Sequence, residues 1–181
     1  MSHLKGIEPN STSGKTKELL DAVNSKFGMV PNMTRVMANS PAVLEGYLAL
    51  NGALGTGTLD TQIREQIALV TAQFNHCDYC LSAHTAIGKL VGLKEQEITA
   101  SRDGRGSTAR ATAALTFAKE VLNGKGQVSD ENVQAVRKAG FSDAEIAEII
   151  AHVAINVFTN YFNIATQVDI DFPKVSSAKA A

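Results

Sequence analysis

Apolar residues recur three or four positions apart through most of this chain, and no segment alternates apolar and polar residues as a half-buried strand would. Residues typical of helix ends separate the apolar segments. Gly28 is suited to ending the first helix, and Ser40-Pro41 and Asp60 are suited to beginning later ones. Ser142-x-x-Glu145 is a capping box before the last long helix. The pattern therefore predicts an all-α fold of about eight helices.

Length and composition indicate a single domain. The chain has 181 residues, of which 44% are hydrophobic, so it can bury one good core. Its first residues are rich in Ser, Thr, Asn and Gly, and those after Pro173 are mostly small and polar. We therefore predict a flexible leader at residues 1–14, a folded domain at residues 15–173 and a loose tail at residues 174–181.

Charge and hydropathy exclude several classes of function. The formal net charge is −1, so nothing indicates a nucleic-acid-binding surface or attraction to acidic membranes. The sequence contains no run of about eighteen apolar residues, and its N-terminus lacks the apolar core of a signal peptide. We expect a cytoplasmic protein whose partners are small molecules and other proteins, with neither nucleic acid nor membrane among them.

The only two cysteines, Cys77 and Cys80, form a C-x-x-C motif, and His84 follows four residues later. If the chain is helical from about Asn75, all three side chains share one helix face, and the cysteines are close enough for a disulfide. Cys77 then lies in the first turn, where the helix dipole lowers a thiol pKa. In a reducing cytoplasm, such a pair is better interpreted as catalytic or redox-sensing than as a structural disulfide.

His84 and Glu65 are candidate proton carriers for the thiols. His84 is placed to exchange a proton with Cys80, since an imidazole titrates near neutrality. Glu65 precedes Cys77 by twelve residues and lies off the apolar stripe of its own helix, for which we predict the inward-facing set Ile63, Ile67, Val70 and Phe74. If the two helices pack side by side, the Glu65 carboxylate can reach the imidazole or the thiols.

Different interpretations of these residues are open. A cysteine is often a small buried hydrophobic residue, and a lone glutamate is often a solvated surface residue. Two cysteines, one histidine and one glutamate are also acceptable ligands of a zinc ion. Structural zinc sites usually take ligands from two separated pairs, however, and this chain has one pair, which favours redox chemistry.

The spacing Glu-x11-Cys-x2-Cys-x3-His, formed by Glu65, Cys77, Cys80 and His84, resembles the motif of the AhpD-like alkylhydroperoxidases of the carboxymuconolactone decarboxylase superfamily. The resemblance extends beyond the motif. Segments 28–32, 40–41, 159–163 and 170–173 are similar to the beginning and end of the peroxidase-related members. Most of the chain is therefore covered by the resemblance.

The resemblance implies an all-helical peroxidase that reduces organic hydroperoxides and needs no cofactor or bound metal. By this resemblance one cysteine thiolate attacks the peroxide, the other resolves the sulfenic acid to a disulfide, and Glu65 and His84 relay protons. We expect Cys80 to attack and Cys77 to resolve because His84 lies one turn from Cys80, although the helix dipole alone favours Cys77. A dithiol protein or a small-molecule reductant restores the thiols. Members of the family form homo-oligomers, commonly trimers or hexamers.

Two residues leave questions that the motif does not answer. Some family members carry a histidine between the cysteines, whereas Asp78 and Tyr79 fill that gap here, and Asp78 is expected to raise the pKa of the neighbouring thiol. His152 lies among apolar residues of the last helix, so it is either a core or interface histidine or a second active-site residue.

Three rival functions remain open from the sequence. A carboxymuconolactone decarboxylase-type reaction needs a cation or oxyanion stabiliser rather than thiols, so the cysteine pair argues against it. A redox-sensing protein without enzymatic activity would use the same disulfide to change its contacts. A zinc-binding protein would use the four motif residues as ligands.

Overall fold

The computed structural model describes residues 2–177, which form nine α-helices and one 3₁₀ turn (Pro9–Ser11), with no strand among them. The helices are α1 (Gly14–Phe27), α2 (Asn32–Met37), α3 (Pro41–Gly55), α4 (Thr61–Phe74), α5 (Asp78–Leu90), α6 (Glu95–Arg102), α7 (Ala109–Asn123), α8 (Asp130–Lys138) and α9 (Asp143–Thr166). The predicted all-α class is confirmed. None of these described helices is long and apolar enough to cross a lipid bilayer.

The predicted helix signals act where the sequence places them. Gly28 follows α1 with a φ of 71°, in the left-handed region that glycine adopts without strain. Asp60 begins α4 by accepting hydrogen bonds from the N–H groups of two residues in the first turn. Ser142 and Glu145 cap α9 reciprocally, each side chain accepting from the other's backbone N–H. Local sequence therefore determines where these helices begin and end.

Helix α4 lies at the centre of the fold because both of its sides are buried. Leu69 on one side belongs to an apolar cluster shared with α1, α2, α3, α5 and α6. Ile63 and Ile67 on the other side belong to a cluster shared with α7, α8 and α9. The predicted inward stripe ends at Val70, because Phe74 lies at the end of the helix and is 42% exposed. Burial on two sides fixes the position of α4, and with it that of Glu65.

A short turn, residues 75–77, connects α4 to α5. His76 has a φ of 56°, and the N–H of Cys77 donates a hydrogen bond to the carbonyl of Ala72 at 2.9 Å. The turn folds α5 back so that it packs along α4. This arrangement brings the second half of the motif beside Glu65.

Both ends of the described chain contact the helical body. The backbone N–H of His3 donates to the carbonyl of Thr166, and that of Val175 donates to the hydroxyl of Ser82. Residues 1 and 178–181, the outermost parts of the predicted leader and tail, lie outside the described residues. The division into leader, domain and tail stays a prediction.

Candidate active site

Cys77 is the N-cap of α5 rather than a residue of its first turn. The helix begins at Asp78, and the Cys77 sulfur accepts a hydrogen bond from the N–H of Cys80 at 3.4 Å. The expectation of a helix from about Asn75 was therefore wrong, because the turn at His76 takes up those positions. Cys77 satisfies one of the free N–H groups at the helix start, as a capping side chain does.

The two sulfurs lie 2.9 Å apart, and the thiol of Cys77 donates a hydrogen bond to Sγ of Cys80. Both cysteines are free thiols and nearly inaccessible, with 1% of Cys77 and 3% of Cys80 exposed. With Cys77 at the N-cap of α5 and Cys80 three residues later in its first turn, the two side chains are close enough to form a disulfide. The predicted meeting of the two thiols is therefore observed.

The surroundings of the two thiols shift their pKa values in opposite directions. Burial by itself raises the pKa of Cys80, but the hydrogen bond from Cys77, the charge of His84 and a hydrogen bond from Asn163 together lower it to about 7. The pKa of Cys77 is raised, first because its proton is held in the hydrogen bond to Cys80 and then by burial. The negative charge of Asp78 acts in the same direction on Cys77. Cys80 is consequently the sulfur that ionises first.

This order contradicts the helix-dipole expectation for Cys77. The dipole argument considers only the position of a residue on its helix. In the folded protein the hydrogen bond between the two sulfurs dominates, and it stabilises a thiolate only at the acceptor, Cys80.

Glu65 and His84 form a hydrogen-bonded pair, with 2.8 Å between the glutamate Oε2 and the imidazole Nδ1. The two side chains are mostly buried, with 16% of Glu65 and 22% of His84 exposed. Burial lowers the pKa of His84, but the charge and the hydrogen bond of Glu65 outweigh it, so the pKa is raised. The imidazolium is therefore favoured next to the Cys80 thiolate, and the predicted approach of Glu65 to the motif is observed.

Asn163 is a site residue that was not singled out from the sequence. Its Nδ2 lies 3.2 Å from Sγ of Cys80 and 3.3 Å from Sδ of Met33. A hydrogen bond from a neutral amide stabilises the thiolate without adding charge. The available signal was the set of asparagines at helical spacing on an apolar helix, Asn156, Asn160 and Asn163.

A cavity of about 460 Å³ opens beside Cys80. Cys80, Glu65, His84 and His152 line it, whereas Cys77 lies behind Cys80 and is not part of the lining. Apolar side chains form most of the remaining wall, including those of Phe27, Met29, Met33, Ile87, Leu90, Val91, Ile155 and Phe172. The structure thus places His152 at the cavity with the motif residues, and the size of the cavity suits a small organic molecule.

No group of three or more His, Cys, Asp or Glu side chains within residues 2–177 is arranged to hold a metal ion. The Glu65 carboxylate accepts from His84, and the two sulfurs are hydrogen-bonded to each other. These contacts are those of an acid–base pair beside a dithiol.

Comparison with known proteins agrees with this description. Residues 41–122, which include the whole motif, match the model of the carboxymuconolactone decarboxylase family. No curated protein matches the sequence. The fold is similar to the alkylhydroperoxidase AhpD core of an uncharacterized peroxidase-related protein from Ralstonia eutropha JMP134, with 25% identity and a TM-score of 0.85 over 94% of this chain and 92% of that chain.

Two further structures share the fold. An uncharacterized peroxidase-related protein from Silicibacter sp. TM1040 is 25% identical, with a TM-score of 0.82 over 93% of this chain and 91% of that chain. The debrominase Bmp8, in complex with 2,3,4-tribromopyrrole, is 18% identical, with a TM-score of 0.78 over 94% of this chain and 92% of that chain. The family match over residues 41–122 and the similarity to the two peroxidase-related structures support the assignment of this chain to the superfamily of AhpD-like and carboxymuconolactone decarboxylase proteins.

Proposed function

We propose that the protein is a thiol-dependent peroxidase that reduces organic hydroperoxides. One observation carries the proposal: Cys80 is the cavity-lining thiol, its pKa is lowered to about 7, and the Cys77 sulfur lies 2.9 Å behind it. A thiolate at neutral pH is the nucleophile that a peroxide requires, and a second thiol within reach traps the product. The largely apolar cavity favours organic hydroperoxides.

The reaction runs in two steps on the protein. The Cys80 thiolate attacks the terminal oxygen of ROOH, the O–O bond breaks, and Cys80 becomes a sulfenic acid while RO⁻ leaves. His84 gives RO⁻ the proton that it took from the Cys80 thiol, so the product is ROH. The Cys77 sulfur then attacks the Cys80 sulfur, and one disulfide and one water molecule form.

Glu65 keeps the imidazole in position during both proton transfers. Its carboxylate accepts from Nδ1 of His84, which leaves Nε2 as the nitrogen that exchanges a proton with Cys80. An external dithiol, either protein or small molecule, then reduces the disulfide by thiol–disulfide exchange and is itself oxidised. Since Cys80 is the sulfur at the cavity, we propose that the reductant attacks there first.

Turnover of cumene hydroperoxide with dithiothreitol tests the proposal directly. We expect peroxide consumption by the wild-type protein and none above background for Cys80→Ser or Cys77→Ser, because each thiol is needed once per cycle. The chain has two cysteines, so each variant retains a single thiol. Undiminished turnover in both variants would remove the peroxidase assignment.

The order of attack is tested by trapping the sulfenic acid. Reduced Cys77→Ser is exposed briefly to one equivalent of cumene hydroperoxide with dimedone present, and its tryptic peptides are analysed by mass spectrometry. We expect a dimedone adduct on Cys80 and none on Cys77 in the reciprocal variant, Cys80→Ser. The reverse labelling would show that Cys77 attacks.

Reductive dehalogenation is a second candidate because the protein shares its fold with the debrominase Bmp8 and combines a dithiol with an apolar cavity. Both reactions end in the same disulfide, so bromide release from 2,3,4-tribromopyrrole distinguishes them. A redox sensor would form the disulfide between Cys77 and Cys80 without sustained peroxide consumption. A zinc-binding protein would carry one equivalent of zinc in the wild type and lose it in His84→Ala.

Assembly into a homo-oligomer is also proposed. Apolar side chains of α9 are substantially exposed, namely Ile150, Phe158, Tyr161 and Ile164. Their contact with a second copy would remove this surface from water. Light scattering during size exclusion measures the subunit number, and a monomer at all concentrations would contradict the proposal.

A further inference from the structure

Two side chains that line the cavity each carry a buried nitrogen without a hydrogen-bond partner among residues 2–177. They are Arg64 on α4, through Nε, and His152 on α9, through Nε2. A buried polar group without a partner costs stability, so such groups are uncommon in folded proteins and call for an explanation. Here two such nitrogens, both potential donors, belong to residues that line the same cavity.

Among the described residues, the Arg64 guanidinium is bound by uncharged groups alone. Nη1 donates to the carbonyls of Leu54 and Gly55 at 3.1 and 3.0 Å, and Nη2 donates to the hydroxyl of Thr61 at 2.6 Å. These bonds position the side chain against the end of α3, but they leave its positive charge without a carboxylate. An anion placed here gains both a charge interaction and a hydrogen bond.

The neighbouring carboxylates are already engaged elsewhere. Glu65 accepts from His84 at 2.8 Å. Glu148, one turn before His152 on α9, accepts from the backbone N–H groups of Thr58 and Leu59 at 2.9 and 2.7 Å. The described part of the chain therefore supplies no acid to Arg64 at this end of the cavity.

Arg64 and His152 line a different part of the cavity from Cys80, the reacting sulfur. Asn163 contacts Cys80. Towards the N-terminus of α9, the same helix face carries Thr159, Asn156 and His152 at helical spacing. All four of these α9 residues line the cavity. His152 lies about three turns before Asn163 on α9, close enough to the Glu65–His84 pair that the charges of both residues act on its imidazole. The cavity therefore has a thiol end and a second polar end.

We propose that Arg64 and His152 form a carboxylate-binding subsite, and that the preferred substrates are hydroperoxides in which an apolar spacer joins the hydroperoxide to a carboxylate. This inference rests on the proposed peroxidase function for its substrate class. One carboxylate oxygen accepts from Nε–H of Arg64 and the other from Nε2–H of His152. Because both nitrogens are buried in this structure, binding includes a small rotation of the two side chains.

The charge state of His152 fits this role. Burial, followed by the positive charge of Arg64, lowers the pKa of His152, so the imidazole is neutral at pH 7 and carries one N–H donor. A bound carboxylate opposes both effects and raises that pKa. The apolar side chains of Met33, Ile87 and Phe172 line the cavity as well and provide the wall for the spacer.

Kinetics with matched probes test the subsite. The two substrates are cumene hydroperoxide and 4-carboxycumene hydroperoxide, which differ only in the carboxylate. They are compared in the wild type and in two variants. His152→Phe keeps a ring but removes the donor, and Arg64→Lys keeps the charge but removes Nε. We expect the wild type to favour the carboxylate in kcat/KM by about 10- to 100-fold, mainly through KM, as for a charge-assisted hydrogen bond. His76→Asn, outside the cavity lining and with a backbone suited to asparagine, is the control and should retain the preference.

Binding of 4-isopropylbenzoate, which has the carboxylate but no peroxide, separates this inference from the proposed function. We expect it to bind reduced wild type by calorimetry, to raise the pKa of His152 in an NMR titration, and to bind at least tenfold more weakly to both variants. Binding without peroxide turnover would support the subsite while removing the peroxidase function. Turnover with equal kcat/KM for the two hydroperoxides, or a preference unchanged in His152→Phe and Arg64→Lys, would overturn the subsite alone.

Discussion

The imidazole Nδ1 of His84 lies 2.8 Å from Oε2 of Glu65, although 19 positions separate the two residues in the chain. The pair exists because α5 folds back along α4 after a three-residue turn. Glu65 raises the pKa of the buried His84, and the charge of His84 lowers the pKa of Cys80. A carboxylate on one helix thereby increases the acidity of a thiol on the next.

Glu65→Gln removes the charge but keeps a side chain of the same shape. We expect the His84 pKa to fall and the Cys80 pKa to rise, because the imidazole loses its carboxylate and the thiolate then loses its cation. A rise of about one unit from about 7 leaves roughly a fifth of the thiolate at neutral pH, so peroxide reduction slows about fivefold. Stopped-flow measurement at pH 7 gives the rate. Glu45→Gln, at an exposed ion pair with Lys15, is the matched control and should react as the wild type does.

The pH dependence of thiol alkylation measures the acidity of Cys80 directly. The thiolate reacts and the thiol does not, so the labelling rate at Cys80 should rise with pH through a midpoint of about 7 and level off above it. Cys77, whose pKa is raised, should label slowly across the same range. Brief iodoacetamide treatment with peptide mass spectrometry resolves the two sites. In His84→Gln the Cys80 midpoint should increase by about 1–2 units, and an unchanged midpoint would show that the imidazole does not stabilise the thiolate.

Local sequence signals predicted the fold well because they depend on near neighbours. The caps at Asp60 and Ser142 act within one helical turn, and the spacing of Cys77, Cys80 and His84 fixes their common face. The pairing of Glu65 with His84 was predictable only on the condition that the two helices pack together. Their sequence spacing makes that packing plausible without determining it.

Contacts between distant segments were not predictable in the same way. Asn163 reaches Cys80 across 83 positions, and this contact depends on how α9 packs against α5. From the sequence, the helix dipole favoured Cys77 as the more acidic thiol and the position of His84 favoured Cys80. In the folded protein Cys77 donates and Cys80 accepts the hydrogen bond between the sulfurs, which decides for Cys80. The start of α5 at Asp78 likewise depends on the turn geometry at His76.

Asn163→Leu tests the contribution of α9 to the thiolate. Leucine has a similar branched shape but cannot donate to Cys80, so we expect a higher Cys80 pKa and slower labelling at pH 7. Asn163→Asp, which places a negative charge beside the sulfur, should raise the pKa further. Thr159→Val is the control, because its hydroxyl donates to the carbonyl of Asn156 rather than to sulfur, and it should leave the midpoint unchanged. Equal midpoints in all four proteins would exclude a role for the amide.

Tyr79, between the two cysteines, connects the motif to the end of the chain. Its hydroxyl donates to Oδ2 of Asp171 at 2.7 Å and accepts from the N–H of Met33 at 3.3 Å, and Phe172 packs edge-on against its ring. Tyr79→Phe keeps the ring contact and leaves the buried Met33 N–H without its partner. We therefore expect the free energy of unfolding to fall by about 1–3 kcal/mol.

Urea denaturation followed by circular dichroism measures this loss for Tyr79→Phe, and Tyr161→Phe supplies the matched comparison. Tyr161 is 60% exposed, and Tyr161→Phe retains the ring that the proposed contact with a second copy would cover, so its change should stay within about 0.5 kcal/mol. The midpoint of Cys80 labelling should remain near that of the wild type in Tyr79→Phe, because the phenol is uncharged at neutral pH: its pKa is raised by burial and by its bond to Asp171. A large change in labelling with unaltered stability would mean that Tyr79 acts on the thiols rather than on the attachment of the C-terminal segment.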